Sequence, residues 1–235
     1  LTSCNLAATD GMIVETHSEK VIEARKRNLE LLWGPHPNEC VVCEKSGECK
    51  LEKYNYEYDV AVEPVFDAHK RNEPINESNH FFEIDSRKCI LCGKCVRMCD
   101  EQMNIGALGY VNRGNETVVT FAHDNFEEAD CVSCGNCVSV CPTGALMPKS
   151  KNKFRNWETT KVQTTCPYCG VGCQLDLVIS KGKVVRVDPV VNAVNNGLLC
   201  VKGKFAFNFI NHPNRLKTPL IKKNGVFVEA SWNEA

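Results

Sequence analysis

Hydrophobic positions along this chain come in short bursts, few of them long enough to build a core element. Residues 18–33 carry the best helical pattern. Ser18 stands at the N-cap position and Glu19 in the first turn, and Val21, Ile22, Leu29, Leu32 and Trp33 form a rough apolar face before Gly34-Pro35 stops it. This helix is expected to support a loop over residues 36–49, and residues 54–80 are polar, irregular and rich in Asn, Glu and Tyr. A β-like run, Phe81-Phe82-Glu83-Ile84, opens a region, 81–148, in which a four-cysteine motif followed by a short helix occurs twice. The Lys/Asn/Arg-rich stretch from Lys149 to Lys161 reads as a solvated linker. Beyond it, Leu175-Asp176-Leu177-Val178-Ile179 and Val184-Val185-Arg186-Val187 flank Ser180-Lys181-Gly182-Lys183 and predict a β-hairpin. The chain opens on Leu1 without an initiator Met and ends on a stretch, 230–235, that reads as a helix just beginning, so a fragment of a longer protein is expected.

So thin an apolar pattern over 235 residues gives a small core, and the 16 cysteines change the picture. A count this high is explained by disulfides, zinc or iron–sulfur clusters. Disulfide frameworks belong to short secreted domains, whereas these cysteines fall into tight groups two or three residues apart, the spacing of a wrap around one metal centre. Metal–thiolate bonds replace part of a hydrophobic core, so several small modules fit this length. No signal peptide or membrane-spanning run is visible and charged residues make up 24% of the chain, so a reducing, cytoplasmic location without membrane insertion is expected. A net charge of −1 offers no basic footprint for nucleic acid.

The strongest motif is Cys89-x2-Cys92-x2-Cys95-x3-Cys99 followed by Cys131-x2-Cys134-x2-Cys137-x3-Cys141-Pro142, which resembles the bacterial ferredoxin run stated twice. Three cysteines on a tight loop reach three irons of one cubane, while the fourth is carried off on the following helix to the other cluster. The expected ligand sets are therefore Cys89, Cys92, Cys95 and Cys141 for one [4Fe-4S] centre, and Cys131, Cys134, Cys137 and Cys99 for the other. Upstream, His36-x3-Cys40-x2-Cys43-x5-Cys49 supplies four candidate ligands, with Gly34, Pro35, Pro37 and Gly47 bending the backbone. Three cysteines lack a fourth thiolate here, and His36 lies near enough to provide an imidazole; the alternative is a packing or surface histidine. Imidazole in place of thiolate removes one negative charge, which by itself raises the reduction potential.

A fourth set, Cys166-x2-Cys169-x3-Cys173 with Cys200 after the hairpin, reads as another [4Fe-4S] site, although four thiolates also suit zinc. Cys4 has no partner in this count. It is either an inert buried thiol or a ligand whose partners lie on an upstream segment. No general base, nucleophile or Gly-rich phosphate loop rises above background, so no catalytic residue is assigned and the chemistry expected of this stretch is electron transfer.

In order and spacing these motifs resemble the N-terminal half of the large, alpha subunit of cytoplasmic NAD-dependent formate dehydrogenases, the molybdenum or tungsten bis-pterin enzymes, over essentially the whole chain. The resemblance implies that Ser3-Cys4 with Asp10-Gly11-Met12 closes a [2Fe-2S] ferredoxin domain with Cys4 as fourth ligand, a partial site because the other three ligands are absent from this sequence. Trp33-Gly34-Pro35-His36-Pro37 and the three cysteines after it also resemble the large iron–sulfur subunit of NADH dehydrogenase and the electron-input half of [FeFe] hydrogenases. Two features separate them. The respiratory subunit typically carries one cubane where Cys99 and the complete second motif imply two, and Cys166-Pro167-Tyr168-Cys169-Gly170-Val171-Gly172-Cys173 looks like the opening of a molybdopterin oxidoreductase, not of a hydrogen-cluster domain. In those oxidoreductases a lysine just after the fourth cysteine lies between cubane and pterin. Cys200-Val201-Lys202-Gly203 matches, which makes Lys202 the implied cofactor-binding residue.

The expected fold class is α+β, a series of small iron–sulfur modules with low regular secondary structure. Its parts are a [2Fe-2S] remnant (1–17), a module with one His and three Cys ligands (18–80), a two-cluster ferredoxin-like domain (81–148), a linker (149–161) and a [4Fe-4S] module opening a molybdopterin oxidoreductase domain (162–235). The resemblance implies electron transfer between a bis-pterin formate dehydrogenase or CO2 reductase site downstream and a flavin- and iron–sulfur-containing, NAD(P)-reducing partner in a hetero-oligomer. A ferredoxin or a hydrogenase module is a further implied partner. The alternative is an electron-transfer subunit of an NADH-oxidising or hydrogenase complex.

Overall fold

The computed structural model describes residues 4–63, 66, 68–149 and 153–235. Regular structure is sparse and mixed, with short helices and two- or three-stranded antiparallel sheets, so the fold is α+β and built of small modules. Helix α1 (Glu19–Trp33) forms where the pattern predicts it. The Ser18 carbonyl accepts from the N–H groups of Val21 and Ile22, and the chain leaves the helix at Gly34, where a Cβ would lie 2.6 Å from the Phe66 ring. The apolar face is narrower than expected: Trp33 is buried, while Ile22 and Leu32 are exposed, because the helix that α1 packs against, α2 (Lys50–Glu57), is short and covers one side of it. Helix α2 starts directly on Cys49, whose sulfur accepts the Glu52 N–H at 3.5 Å.

The two-motif region closes on itself where β1 (Phe82–Ile84) pairs with β4 (Leu146–Pro148), and β2 (Leu108–Val111) pairs with β3 (Val118–Phe121) between the motifs. Phe82, Ile84, Leu108, Phe121 and Leu146 pack around Cys95, Cys137 and Cys141, so this region's core is also the lining of its thiols. The repeat is visible in the backbone. Leu91 and Ser133 share a left-handed φ of 54°, and Gly93 (φ 73°) and Gly135 (φ 75°) open α3 (Lys94–Arg97) and α4 (Asn136–Val140). A Cβ at Gly135 would meet the Phe205 ring at 2.6 Å, so glycine serves both the turn and a close approach. Past α3 the chain makes a π-helical turn, Met98–Gln102, a form that often marks functional sites.

The last module is a meander of β5 (Thr160–Thr165), β6 (Gln174–Ser180) and β7 (Lys183–Pro189). Its predicted hairpin turns through Lys181 (φ 49°) and Gly182 (φ 72°), a left-handed pair that matches strand twist. Helix α5 (Val201–Phe205) starts on Cys200. A further hairpin, β8 (Leu220–Lys223) with β9 (Val226–Glu229), is largely exposed, and residues 230–235 form turns where a helical start is expected.

Residues 153–158 depart furthest from the reading of a solvated linker. Buried Asn156 donates to the Glu44 and Ser46 carbonyls at 3.0 and 2.8 Å and accepts from Arg186 at 2.9 Å. Arg155 donates to the Val41 carbonyl at 2.7 Å, and Arg186 grips Asp188 at 2.7 Å and Glu48 at 3.0 Å. The stretch therefore clasps the 40–49 loop to β7, because that loop has carbonyls that need donors. Burial alone would raise Asp188, but hydrogen bonds and charge from Arg186 outweigh it and hold the carboxyl at about 2. Arg186→Met is expected to lower unfolding free energy by about 2 kcal/mol, since it leaves half-buried Glu48 and Asp188 to share Lys161 as their ion-pair partner and removes the donor to Asn156. Denaturant melts followed by cluster absorbance check this; an unshifted midpoint would show that the clasp contributes nothing.

Candidate iron–sulfur centres

Each ferredoxin-like loop turns its sulfurs inward by the same device. The N–H of Leu91 donates to Cys89 Sγ and that of Ser133 to Cys131 Sγ, both at 3.4 Å. One cavity is lined by Cys89, Cys92, Cys95 and Cys141, and a second by Cys99, Cys131, Cys134 and Cys137. The fourth cysteine of each motif thus stands with the loop of the other. The charge interactions agree, with Cys141 acting on Cys95 and Cys99 acting on Cys131. Cys95 also lies close enough to act on Cys137, so the two sites adjoin. Burial pushes the Cys95 thiol up to about 12 and Cys137 well above the ordinary value. Thiols in such surroundings become thiolates when metal binds them.

Cys40, Cys43 and Cys49 are near enough for their charges to interact, and burial raises Cys40 to about 11. His36, buried just past α1, stacks on Trp33 with centroids 5.5 Å apart, and Trp33 packs in one apolar cluster with Cys49 and Cys40. His36 Nδ1 lies 2.9 Å from the Pro37 carbonyl, which only accepts, so the proton is on Nδ1 and the lone pair on Nε2. Nε2 is buried with no hydrogen-bond partner among the described residues. A buried acceptor of this kind calls for a ligand, and a backbone carbonyl fixing the opposite nitrogen is the usual support of a metal-bound imidazole. Burial lowers the His36 pKa, against the Pro37 hydrogen bond and helped by the Lys88 charge, which keeps the ring neutral.

In the last set Cys166, Cys169 and Cys200 all act on Cys173, and the Cys166 N–H donates to the Cys173 carbonyl at 2.8 Å. Lys202 is exposed and lines an open hollow with Cys166, Tyr168 and Phe207. Lys204, one turn past Cys200, is 3% exposed. Burial lowers its ammonium to about 8, with Asp188 opposing. Cys4 is an exposed thiol in the segment before α1, against the reading of an inert buried one; Leu1 to Ser3 lie outside the described residues. None of the sixteen cysteines is in a disulfide.

The four sets follow one another through specific contacts. Lys50 N–H donates to the Pro142 carbonyl at 3.2 Å, and a Cβ at Gly144 would lie 2.8 Å from Cys43 Sγ, which joins the His36 set to the Cys141 side of the ferredoxin pair. At the other side Asn136, beside Cys137, exchanges two 3.0 Å hydrogen bonds with the backbone of Leu199, beside Cys200. Asn136, Lys204, the Pro37 carbonyl and Arg71, which donates to the Cys89 carbonyl at 2.8 Å, carry no spacing signature in the sequence. Among the described residues no three His, Cys, Asp or Glu side chains meet closely enough to suit one metal ion. The cysteines of the ferredoxin pair instead stand around cavities, as the separate corners of a cubane require. Nor is any described helix long and apolar enough to cross a membrane.

Three family models match the chain: the NADH-ubiquinone oxidoreductase-G iron-sulfur binding region over residues 25–63, the 4Fe-4S dicluster domain over 88–145, and the molybdopterin oxidoreductase Fe4S4 domain over 159–212. The second G-type subunit of the NADH-quinone oxidoreductase of Rhizobium meliloti is 39% identical over 99% of this chain and 27% of its own length. The chain is similar over nearly its whole length to a G-type subunit of an NADH-quinone oxidoreductase. The NADPH-Fe(3+) oxidoreductase subunit alpha of Geobacter sulfurreducens is 36% identical over 100% of the chain and 27% of that protein. NADH-quinone oxidoreductase subunit 3 of Thermus thermophilus is 32% identical over 99% of the chain and 31% of that protein. The chain thus spans under a third of the length of each of these relatives. Among solved structures, a chain of an NAD+-reducing [NiFe]-hydrogenase in the H2-reduced state matches with TM-score 0.58 and 29% identity over 65% of each chain.

Proposed function

We propose that this segment passes single electrons along four [4Fe-4S] clusters. The His36, Cys40, Cys43, Cys49 site adjoins Cys89, Cys92, Cys95, Cys141, then Cys99, Cys131, Cys134, Cys137, and last Cys166, Cys169, Cys173, Cys200. The observation that carries the reading is the pair of cavities, each lined by three cysteines of one motif and the fourth of the other. When bound, the clusters supply one-electron chemistry. The protein's part is to hold thiolates and an imidazole in place, exclude water with residues such as Phe82 and Leu146, and set the potentials by N–H···S bonds and buried charge. The test is anaerobic iron and acid-labile sulfide analysis, expected to give about sixteen irons per chain with matching sulfide. Stoichiometric zinc with little sulfide would overturn the whole reading.

The relatives support an NAD(P)-linked complex of several subunits; a flavin- and iron–sulfur-containing partner and a cytoplasmic location rest on the sequence resemblance and the cysteine pattern alone. At the Cys200 end, the Fe4S4 match and the placement of Lys202 beside Cys166 and Tyr168 favour a second, narrower reading in which a molybdenum or tungsten pterin is the neighbour, with Lys202 reaching it. Formate oxidation or CO2 reduction is the narrowest form of that reading, and the three relatives named above speak for NADH-quinone and NADPH-Fe(3+) chemistry instead. Cluster reduction in the full-length complex by NADH or NADPH against formate separates the two. The [2Fe-2S] role of Cys4 rests on the resemblance alone.

A further inference from the structure

Lys204 is the most deeply buried cation among the described residues, at 3% exposure. Lysines are rarely so buried without a charged partner. Yet among the described residues Lys204 makes no ion pair, and its Nζ donates to the neutral Val187 carbonyl at 2.8 Å. The carboxylate that acts on its charge, Asp188, is engaged by Arg186 at 2.7 Å and Lys161 at 2.8 Å, and Arg186 and Lys45 add further positive charge around Lys204. The charge therefore needs another anion. One lies beside its stem: the Lys204 Cγ would lie 2.9 Å from a Cβ at Gly135, between Cys134 and Cys137, and Cys137 is close enough to act on its charge.

We propose that Lys204 is the buried counter-cation of the cluster held by Cys99, Cys131, Cys134 and Cys137, and that its charge raises this cluster's reduction potential where electrons cross to the Cys200 set. The proposal rests on the cluster assignment above. A cubane with four thiolates is an anion in both redox states and gains one negative charge when an electron enters, with no bond made and no proton moved. A fixed cation in a low-dielectric gap favours the more negative state. The crossing is at this place because α5 carries both Cys200 and Lys204, and Asn136 ties α4 to Leu199.

The test is an EPR-monitored redox titration of the full-length, anaerobically prepared protein carrying Lys204→Gln, Lys204→Met or Lys204→Arg, with iron and sulfide measured on each. The signal in question is assigned by its loss in Cys131→Ala. With full iron content, the Gln and Met variants are expected to move that one midpoint to more negative potential and leave the His36 cluster unmoved, while Arg keeps the wild-type value. Should the neutral variants fail to hold iron where Arg holds it, the cation is needed to assemble the site, as the role requires. Unmoved midpoints in the neutral variants, or equal effects of Arg and Gln, overturn the role of Lys204 and leave the cluster assignment standing. A wild-type protein without cubane signals overturns the assignment itself.

Discussion

Cys99→Ala is expected to destroy the [4Fe-4S] form of the cluster held by Cys131, Cys134 and Cys137 and to spare the one in its own motif, whose loop keeps Cys89, Cys92 and Cys95. Cys99 leaves its motif on the π-helical turn Met98–Gln102 and enters the cavity of the second loop, where it acts on Cys131 and Cys137. The mirror variant, Cys141→Ala, should strip the cluster of the first loop, because Cys141 acts on Cys95 and Cys89. Each change is expected to remove about four irons, or to leave a three-iron core, with EPR loss confined to the distant loop's cluster. Spared clusters should keep their midpoints to the extent that Cys95 and Cys137 hold the two sites together without the missing one. Damage confined to each cysteine's own loop would show that the ligands do not cross.

How much of this was legible before the structure depends on the range of the interaction. The crossed sets follow from spacing alone, since C-x2-C-x2-C closes a loop and x3 sends the next cysteine out on a helix. Helix α1 and the β6–β7 hairpin follow from local pattern and turn chemistry. Asn224-Gly225 (φ 51° and 84°) is likewise a strong hairpin signal, but Val226, Phe227 and Val228 are all exposed, so β9 shows no alternation that would mark it as a strand. The relations between modules depend instead on single side chains of common type. Asn156 bonds residues more than a hundred positions away, Asn136 reaches Leu199, and Arg186 reaches Glu48; none of these carries a periodicity or a motif. A Lys/Arg-rich stretch normally means solvation, and 153–158 escapes that rule because the 40–49 loop exposes carbonyls that only a neighbour can satisfy.

His36 shows the same division at one residue, and its substitution is the other large effect expected. Spacing places an imidazole near three thiols, and the structure adds what spacing does not: a stack on Trp33, a proton held on Nδ1 by Pro37, and a buried, unpaired Nε2. An unsatisfied buried acceptor costs about 1–3 kcal/mol, so Nε2 facing no donor is explained if iron takes the lone pair. His36→Ala is then expected to lose about four irons per chain, or to leave a site open to an added ligand, with the other three sets filled. His36→Cys should keep the cluster and lower its midpoint, because a thiolate adds one negative charge where the neutral ring adds none. Iron analysis and EPR-monitored titration of the two variants read both effects. A packing role would behave in the opposite way: alanine would lower thermal stability by removing the Trp33 stack, yet keep the full iron content and an unchanged midpoint, and His36 would then be no ligand.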